Sequence, residues 1–145
     1  MISREYPDFP LVGVGAIIYQ DNQVMLVRRG KEPAKGEWSI PGGLVDVGET
    51  LRDAVIREAL EETGLEVEPI ELVELLERVF RDDLGRVKYH YVLADFLCRV
   101  KKGNLLAGSD ALDAKWFHPD ELPSLNLAEI TLQVILKGLG LLSHE

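Results

Sequence analysis

Two apolar runs rich in β-branched residues, LVGVGAIIYQ at 11–20 and QVMLVRR at 23–29, are separated by the turn-like DNQ at 21–23. The pattern predicts two strands joined as a hairpin. The polar stretch GKEPAKGE at 30–37 predicts a loop. Trp38-Ser39-Ile40 predicts a short extended piece running into Pro41-Gly42-Gly43, where paired glycines allow a tight turn and a close backbone approach to a ligand. Residues 51–62 read as a helix, with Thr50 as N-cap, Asp53 in a capping-box-like position and Gly64 as the stop. The segment EVEPIELVELLERVF at 66–80 satisfies both helical and strand periods. Because RDDLG at 81–85 reads as the turn of a long hairpin, an extended segment with an irregularity at Pro69 is expected, returning along 86–100. On that return strand Val92, Ala94, Phe96, Cys98 and Val100 share one face at period two. A loop at 101–113, a short strand at 114–117 and a helical turn opened by Pro119 follow. A final helix is expected at 127–137, capped by Asn126 and stopped by Gly138.

A chain of 145 residues fits one folding unit over residues 1–145, with one core. Its longest apolar runs, such as 11–19, are about half of the roughly 20 residues that cross a bilayer. The N-terminal MISREYPDFP carries acid and proline where a signal peptide would be basic and then apolar. A lone cysteine, Cys98, excludes an intrachain disulfide and fits a reducing compartment, so a cytoplasmic protein is expected, with no membrane partner. The net charge of −9 argues against a nucleic-acid partner, which needs a basic face. It leaves room for a small phosphorylated ligand, provided a divalent cation lies between protein carboxylates and phosphates.

The charge has one concentrated source. In REALEETG at 57–64, Glu58, Glu61 and Glu62 crowd the end of the predicted helix. Like charges four apart destabilise a helix by roughly 0.2–0.5 kcal/mol per pair, and negative charge at a C-terminus opposes the macrodipole by roughly 0.3–1 kcal/mol. At 100° per residue all three fall within a sector of roughly 100°. Val55, Ile56, Ala59 and Leu60 fill the adjoining arc and are expected to face the sheet. A solvated acidic face would bring basic partners at i±4, yet Glu58 has Ala54 and Glu62 there, and Glu62 is followed by Glu66. Two readings stay open on these residues: a solvated face, or a site for a hard divalent cation completed by a backbone carbonyl of Gly42 or Gly43.

Gly43, five residues, Glu49, seven residues, then Arg57-Glu58-Ala59-Leu60-Glu61-Glu62-Thr63-Gly64-Leu65 resembles the Nudix box, GX5EX7REUXEEXGU, where U is a bulky aliphatic. The soft departure is Ala59, for which looser packing of helix on sheet is expected. The resemblance implies an α/β/α sandwich, a mixed β-sheet flanked by the box helix and a C-terminal helix. It implies that Glu58 and Glu62 are the principal ligands of Mg2+ (or Mn2+), with Glu61 joining them or holding a metal-bound water and the Gly42 carbonyl completing the set. Arg57 would orient the carboxylates and Glu49 would brace the loop against the helix. The activity implied is metal-dependent hydrolysis of a nucleoside diphosphate linked to another moiety.

The opening hairpin, the RRG at 28–30 and the WSIPGG lead-in at 38–43 look most like small prokaryotic ADP-ribose pyrophosphatases, which yield AMP and ribose 5-phosphate. Against that subclass, Val79 and Phe80 occupy the region where a proline often follows the box. Nucleoside triphosphate house-cleaning stays open, as does a non-catalytic nucleotide-sensing module; the charge disfavours mRNA cap removal. A homodimer also stays open. Asp110, six residues ahead of Trp116, is similar in placement to the family's extra acid, either as general base or as a loop-capping aspartate, with Asp113, Asp82 and Asp83 weaker candidates. Arg28 or Arg29 could clamp a phosphate, but only one can point inward, because strand side chains alternate. Gly43 could lie against substrate, and Trp38 or Tyr19 could stack on a base or fill the core. His90 and His118 lack zinc-ligand spacing, and Gly13-Val14-Gly15 lacks the third glycine of a dinucleotide fingerprint.

Overall fold

A computed structural model describes residues 4–142, so Met1–Ser3 of the N-terminal stretch lie outside the described residues. The chain runs β1 (Leu11–Gln20), β2 (Gln23–Arg29), β3 (Trp38–Ser39), β4 (Gly42–Leu44), α1 (Leu51–Thr63), β5 (Leu65–Arg81), β6 (Val87–Gly103), β7 (Ala111–Phe117), a 3₁₀ turn (Pro119–Ser124) and α2 (Glu129–Leu142). One mixed sheet in the order β3-β2-β1-β6-β5 holds the strands, with β4 on β1 and β7 on β2.

β1 organises the rest. It is parallel to β6 from Leu11↔Tyr91 to Tyr19↔Arg99, and antiparallel to β2 only at Tyr19 and Gln20. The Asp21 and Asn22 turn has φ of 51° and 63°, the left-handed pair that a two-residue hairpin requires. Beyond it the two strands splay, and the segment 38–44 fills the fork, with β3 on β2 and β4 on β1.

Strand alternation divides the core in two. Val14, Ala16 and Ile18 of β1 join Met25, Val27, Ala94, Phe96 and Cys98 beneath Ala54, Val55 and Ala59 of α1. Ile17 joins Val24, Leu26, Leu97 and Phe117 beneath Val134 and Ile135 of α2. The result is the α/β/α sandwich. Among the described residues no helix is long and apolar enough to cross a membrane.

The segment 66–80 is strand. β5 pairs along its length with β6, with register shifts at Pro69/Glu71 and three other points, as expected where a proline has no N–H to donate. The hairpin closes on Asp82, whose carboxylate accepts from the backbone of Leu84 and Arg86.

Four expectations are corrected. Pro41-Gly42-Gly43 is no turn: Gly42 and Gly43 are extended within β4. On α1, Leu60 is 51% exposed and Ile56 partly exposed, whereas Ala54 and Ala59 are fully buried. The sheet-facing stripe is therefore Ala54, Val55 and Ala59, and Ala59 packs closely. Gly138 does not stop α2 but lies buried inside it, where a Cβ would come 2.9 Å from Ile17 Cδ1. Close helix–sheet contact there outweighs the roughly 1 kcal/mol that glycine costs a helix. Asn126 is not its cap: the Ala128 carbonyl accepts from Thr131 and Leu132, while the Asn126 carbonyl accepts from the Trp38 N–H.

Urea unfolding of Ile17→Ala should show a loss of about 2–5 kcal/mol, the range for emptying a closed core site. Leu60→Ala should stay within about 0.5 kcal/mol. Equal losses would place Leu60 against the sheet after all.

Candidate active site

α1 is set by its ends. The Thr50 hydroxyl accepts from the Asp53 N–H, and Gly64 closes the helix at φ 74°, donating to the Leu60 carbonyl. Between these ends the carboxylates of Glu58 and Glu62 reach the backbone of β4. The β1–β4 ladder bonds the Pro41 carbonyl to the Ala16 N–H and the Val12 carbonyl to the Val45 N–H. That alternation turns the N–H and C=O of Gly42 away from β1. The Gly42 N–H donates to Glu62 Oε1 at 2.6 Å. The Glu58 carboxylate lies across Gly43, where a Cβ would stand 2.4 Å from its Cδ. The glycine pair is needed for this approach rather than for a turn.

Arg57 ties the cluster together. Its Nε and Nη2 donate to the two Glu49 oxygens at 2.7 and 2.9 Å, its Nη2 to the Leu44 carbonyl at 3.0 Å, and its Nη1 to Glu58 Oε1 at 2.7 Å. Glu61, 45% exposed at its side chain, leans toward the same Nη1 at 3.3 Å. This fork holds the Glu49 carboxyl down at about 2, helped by the Asp46 N–H.

The two inward acids both shift the other way from Glu49. Burial pushes Glu58 above its usual range, with Arg57 opposing. Burial pushes Glu62 up to about 7; the Gly42 N–H and Arg29 oppose, while Glu58 and Asp110 reinforce it by repulsion. Glu58 and Glu62 are thus no solvated face. They form a pair of partly desolvated, mutually repelling oxygen donors, an arrangement a cation stabilises.

A cavity of ≈ 290 Å³ opens on this pair. Its lining brings together seven of the candidates read from sequence: Gly42, Gly43, Glu58, Glu61, Glu62, Arg29 and Asp110. Asp110 Oδ2 is 3.0 Å from Lys31 Nζ, which shares the rim. Arg57 stands behind the acids. Two candidates for substrate contact lie elsewhere. Arg28 is exposed and donates to the Gly36 carbonyl at 3.2 Å, because alternation along β2 turns it away from Arg29. Trp38 meets Phe117 edge-on at 5.0 Å and, with Tyr19, packs on the α2 side of the core. Asp113 pairs with Lys115, Asp82 serves the β5–β6 turn, and His118 caps the 3₁₀ turn.

Sequence reasoning missed Arg4, Lys31, Arg78, Tyr91, Asp95 and Thr131, all on the cavity wall. For Asp95 a signal existed: it is the single charged residue in the stretch 91–98, YVLADFLC.

The lining offers carboxylates and backbone oxygens and neither histidine nor cysteine. That donor set fits a hard divalent cation rather than zinc. Among the described residues no three acid, histidine or cysteine side chains are already gathered for a cation, Glu61 being drawn toward Arg57.

A family model described as the NUDIX domain matches residues 10–137, and the chain belongs to the Nudix family. It is 40% identical over 116 residues to an ADP-ribose pyrophosphatase of Methanocaldococcus jannaschii, covering 80% of this chain and 66% of that protein. It spans 26% and 57% of the length of two further curated relatives. Among solved structures, a MutT NUDIX hydrolase from Burkholderia pseudomallei superposes with a TM-score of 0.74 at 28% identity, over 90% of this chain and 98% of that one. The NUDIX domain of Shewanella oneidensis NrtR, complexed with ADP ribose, does so with a TM-score of 0.75 at 25% identity, over 93% and 90%.

A carboxyl held near 2 stabilises the fold above its usual value near 4.5 and loses that contribution as pH falls toward 2. Glu49→Gln should therefore lower Tm at pH 7, and the gap to the parent should close between pH 4.5 and 2. A gap unchanged across that window would contradict the fork.

Proposed function

We propose that the chain is a divalent-metal-dependent hydrolase of a nucleoside diphosphate linked to another moiety, with ADP-ribose as substrate and AMP and ribose 5-phosphate as products. The observation that carries this is one cavity in which Glu58 and Glu62, two inward-facing carboxylates that repel one another, meet Arg29, Lys31 and Asp110. The kinship with an ADP-ribose pyrophosphatase supports the substrate.

Glu58, Glu62 and the Gly42 carbonyl would hold Mg2+ or Mn2+, with Glu61 swinging from Arg57 to join them or to hold a bound water. The ion, when bound, supplies neutralisation of the diphosphate and acidification of a water. The protein supplies the rest. Arg57 keeps Glu58 aimed across Gly43 through the 2.7 Å contact at Nη1. Arg29, half-buried, and Lys31 meet phosphate oxygens, and Lys31 also steadies Asp110. Asp110 accepts the proton of the water whose oxygen attacks phosphorus, while the anhydride P–O bond breaks and the second phosphate leaves with the electron pair.

Magnesium should release AMP from ADP-ribose, and chelation should stop it. Glu62→Gln should lower turnover by about two to three orders of magnitude, the scale of removing a preorganised electrostatic contact, with an unchanged circular dichroism spectrum. Tight ADP-ribose binding with no product under Mg2+ or Mn2+ would make the chain a binding module instead.

A further inference from the structure

We propose that Arg78, working with Arg29, clamps the second phosphate of the substrate's diphosphate, the one farther from Glu58 and Glu62. This rests on the reading of the cavity as a site for a nucleoside diphosphate derivative, and names the residue that holds its far phosphate.

Residue 78 owes its place to the phase of β5. Leu76, Arg78 and Phe80 lie opposite Leu93, Tyr91 and Tyr89 of β6, and all but Tyr89 line the cavity. Glu77 and Val79 alternate onto the other face, opposite Val92 and His90. β2 and β5 stand on opposite sides of β1 and β6, so Arg29 and Arg78 reach one cavity from opposite walls. Both side chains are held before any ligand arrives. Arg29 Nε donates to the Pro33 carbonyl at 2.7 Å. The Arg78 guanidinium carbon lies 4.8 Å from the centre of the Phe80 ring, which Tyr89 in turn meets edge-on at 6.1 Å.

Neither arginine has an acid. Among the described residues no carboxylate pairs with Arg29 or Arg78, and Arg78 donates no hydrogen bond. In a chain with 25 acidic and 16 basic residues, Arg57, Arg86 and Arg99 each hold a carboxylate. The isolation of these two on one wall marks a place for an anion from outside. Arg78 is partly buried, and burial holds its guanidinium below its usual range, with Glu37 opposing and Arg29 adding repulsion. Two like cations facing one space are costly until an anion joins them.

The topology says which anion. β4, whose glycines meet Glu58 and Glu62, lies in the fork between β1 and β2, so the acids and Arg29 share one end of the cavity. β1 and β6 separate that end from Arg78 on β5. A diphosphate whose first phosphate meets the ion at the acids therefore carries its second toward Arg78. A planar guanidinium suits that group, because its fork meets two phosphate oxygens at once.

The test uses nucleotide binding, which does not depend on turnover of ADP-ribose. ADP and AMP, which differ only in the second phosphate, are titrated into the magnesium-loaded protein and its Arg78→Gln and Arg78→Lys variants. Thermal unfolding serves as a folding control. The parent should bind ADP more tightly than AMP. Arg78→Gln should weaken ADP by about ten- to a hundredfold, the scale of hydrogen bonds to a charged group, and keep AMP within about threefold of the parent. Arg78→Lys, which keeps the charge without the planar fork, should fall between the two for ADP. A folded Gln variant that binds ADP like the parent makes Arg78 a packing residue on Phe80 and overturns the clamp. An equal loss of ADP and AMP also overturns it, placing Arg78 against the nucleoside or the first phosphate. If ADP-ribose is not hydrolysed but the Gln variant still loses ADP alone, the hydrolytic reading fails and the clamp stands.

Discussion

The structure depends on bringing two like charges against a backbone that has no side chains. Glu58 meets Gly43 and Glu62 meets the Gly42 N–H because α1 lies close on the sheet. That closeness comes from the small buried face of Ala54, Val55 and Ala59. The repulsion between the acids is met in part by one guanidinium, whose donors are divided among Glu49, Glu58 and the Leu44 carbonyl. Arginine suits this position because its planar fork serves several acceptors at once, which a lysine cannot do.

The same constraint explains the local balance of charge. A chain of net charge −9 carries Arg4, Arg29, Lys31 and Arg78 on the wall of one cavity that also holds its inward acids. Only the fold shows that both signs are gathered on the wall of one cavity.

Much of this was legible in the chain. The β1–β2 hairpin, the long β5–β6 hairpin and α1 with both its caps all follow from period, turn chemistry and spacing. For Glu58 and Glu62 these leave a solvated face open, and only the resemblance to the Nudix box implies an inward pair. What escaped was settled by contacts between distant segments. Gly138 reads locally as a stop, but burial against Ile17 carries the helix through it. Trp38 reads either as a stacking platform or as core, and its edge-on contact with Phe117 sets it, partly buried, against the α2 side of the core. Arg28 and Arg29 are equivalent in sequence until the phase of β2 is known. Asp95 was hidden because the strand was followed along its apolar even-numbered face, while the acid sits on the other.

Gly15 and Asp95 stand 80 positions apart in the chain and side by side in the sheet, with no space between them for even a methyl group. Substitution at one position is therefore felt at the other: a methyl on residue 15 would have to displace both the Asp95 carboxylate and Ile40 Cδ1, 2.6 Å from the same point, turning two side chains aside at once.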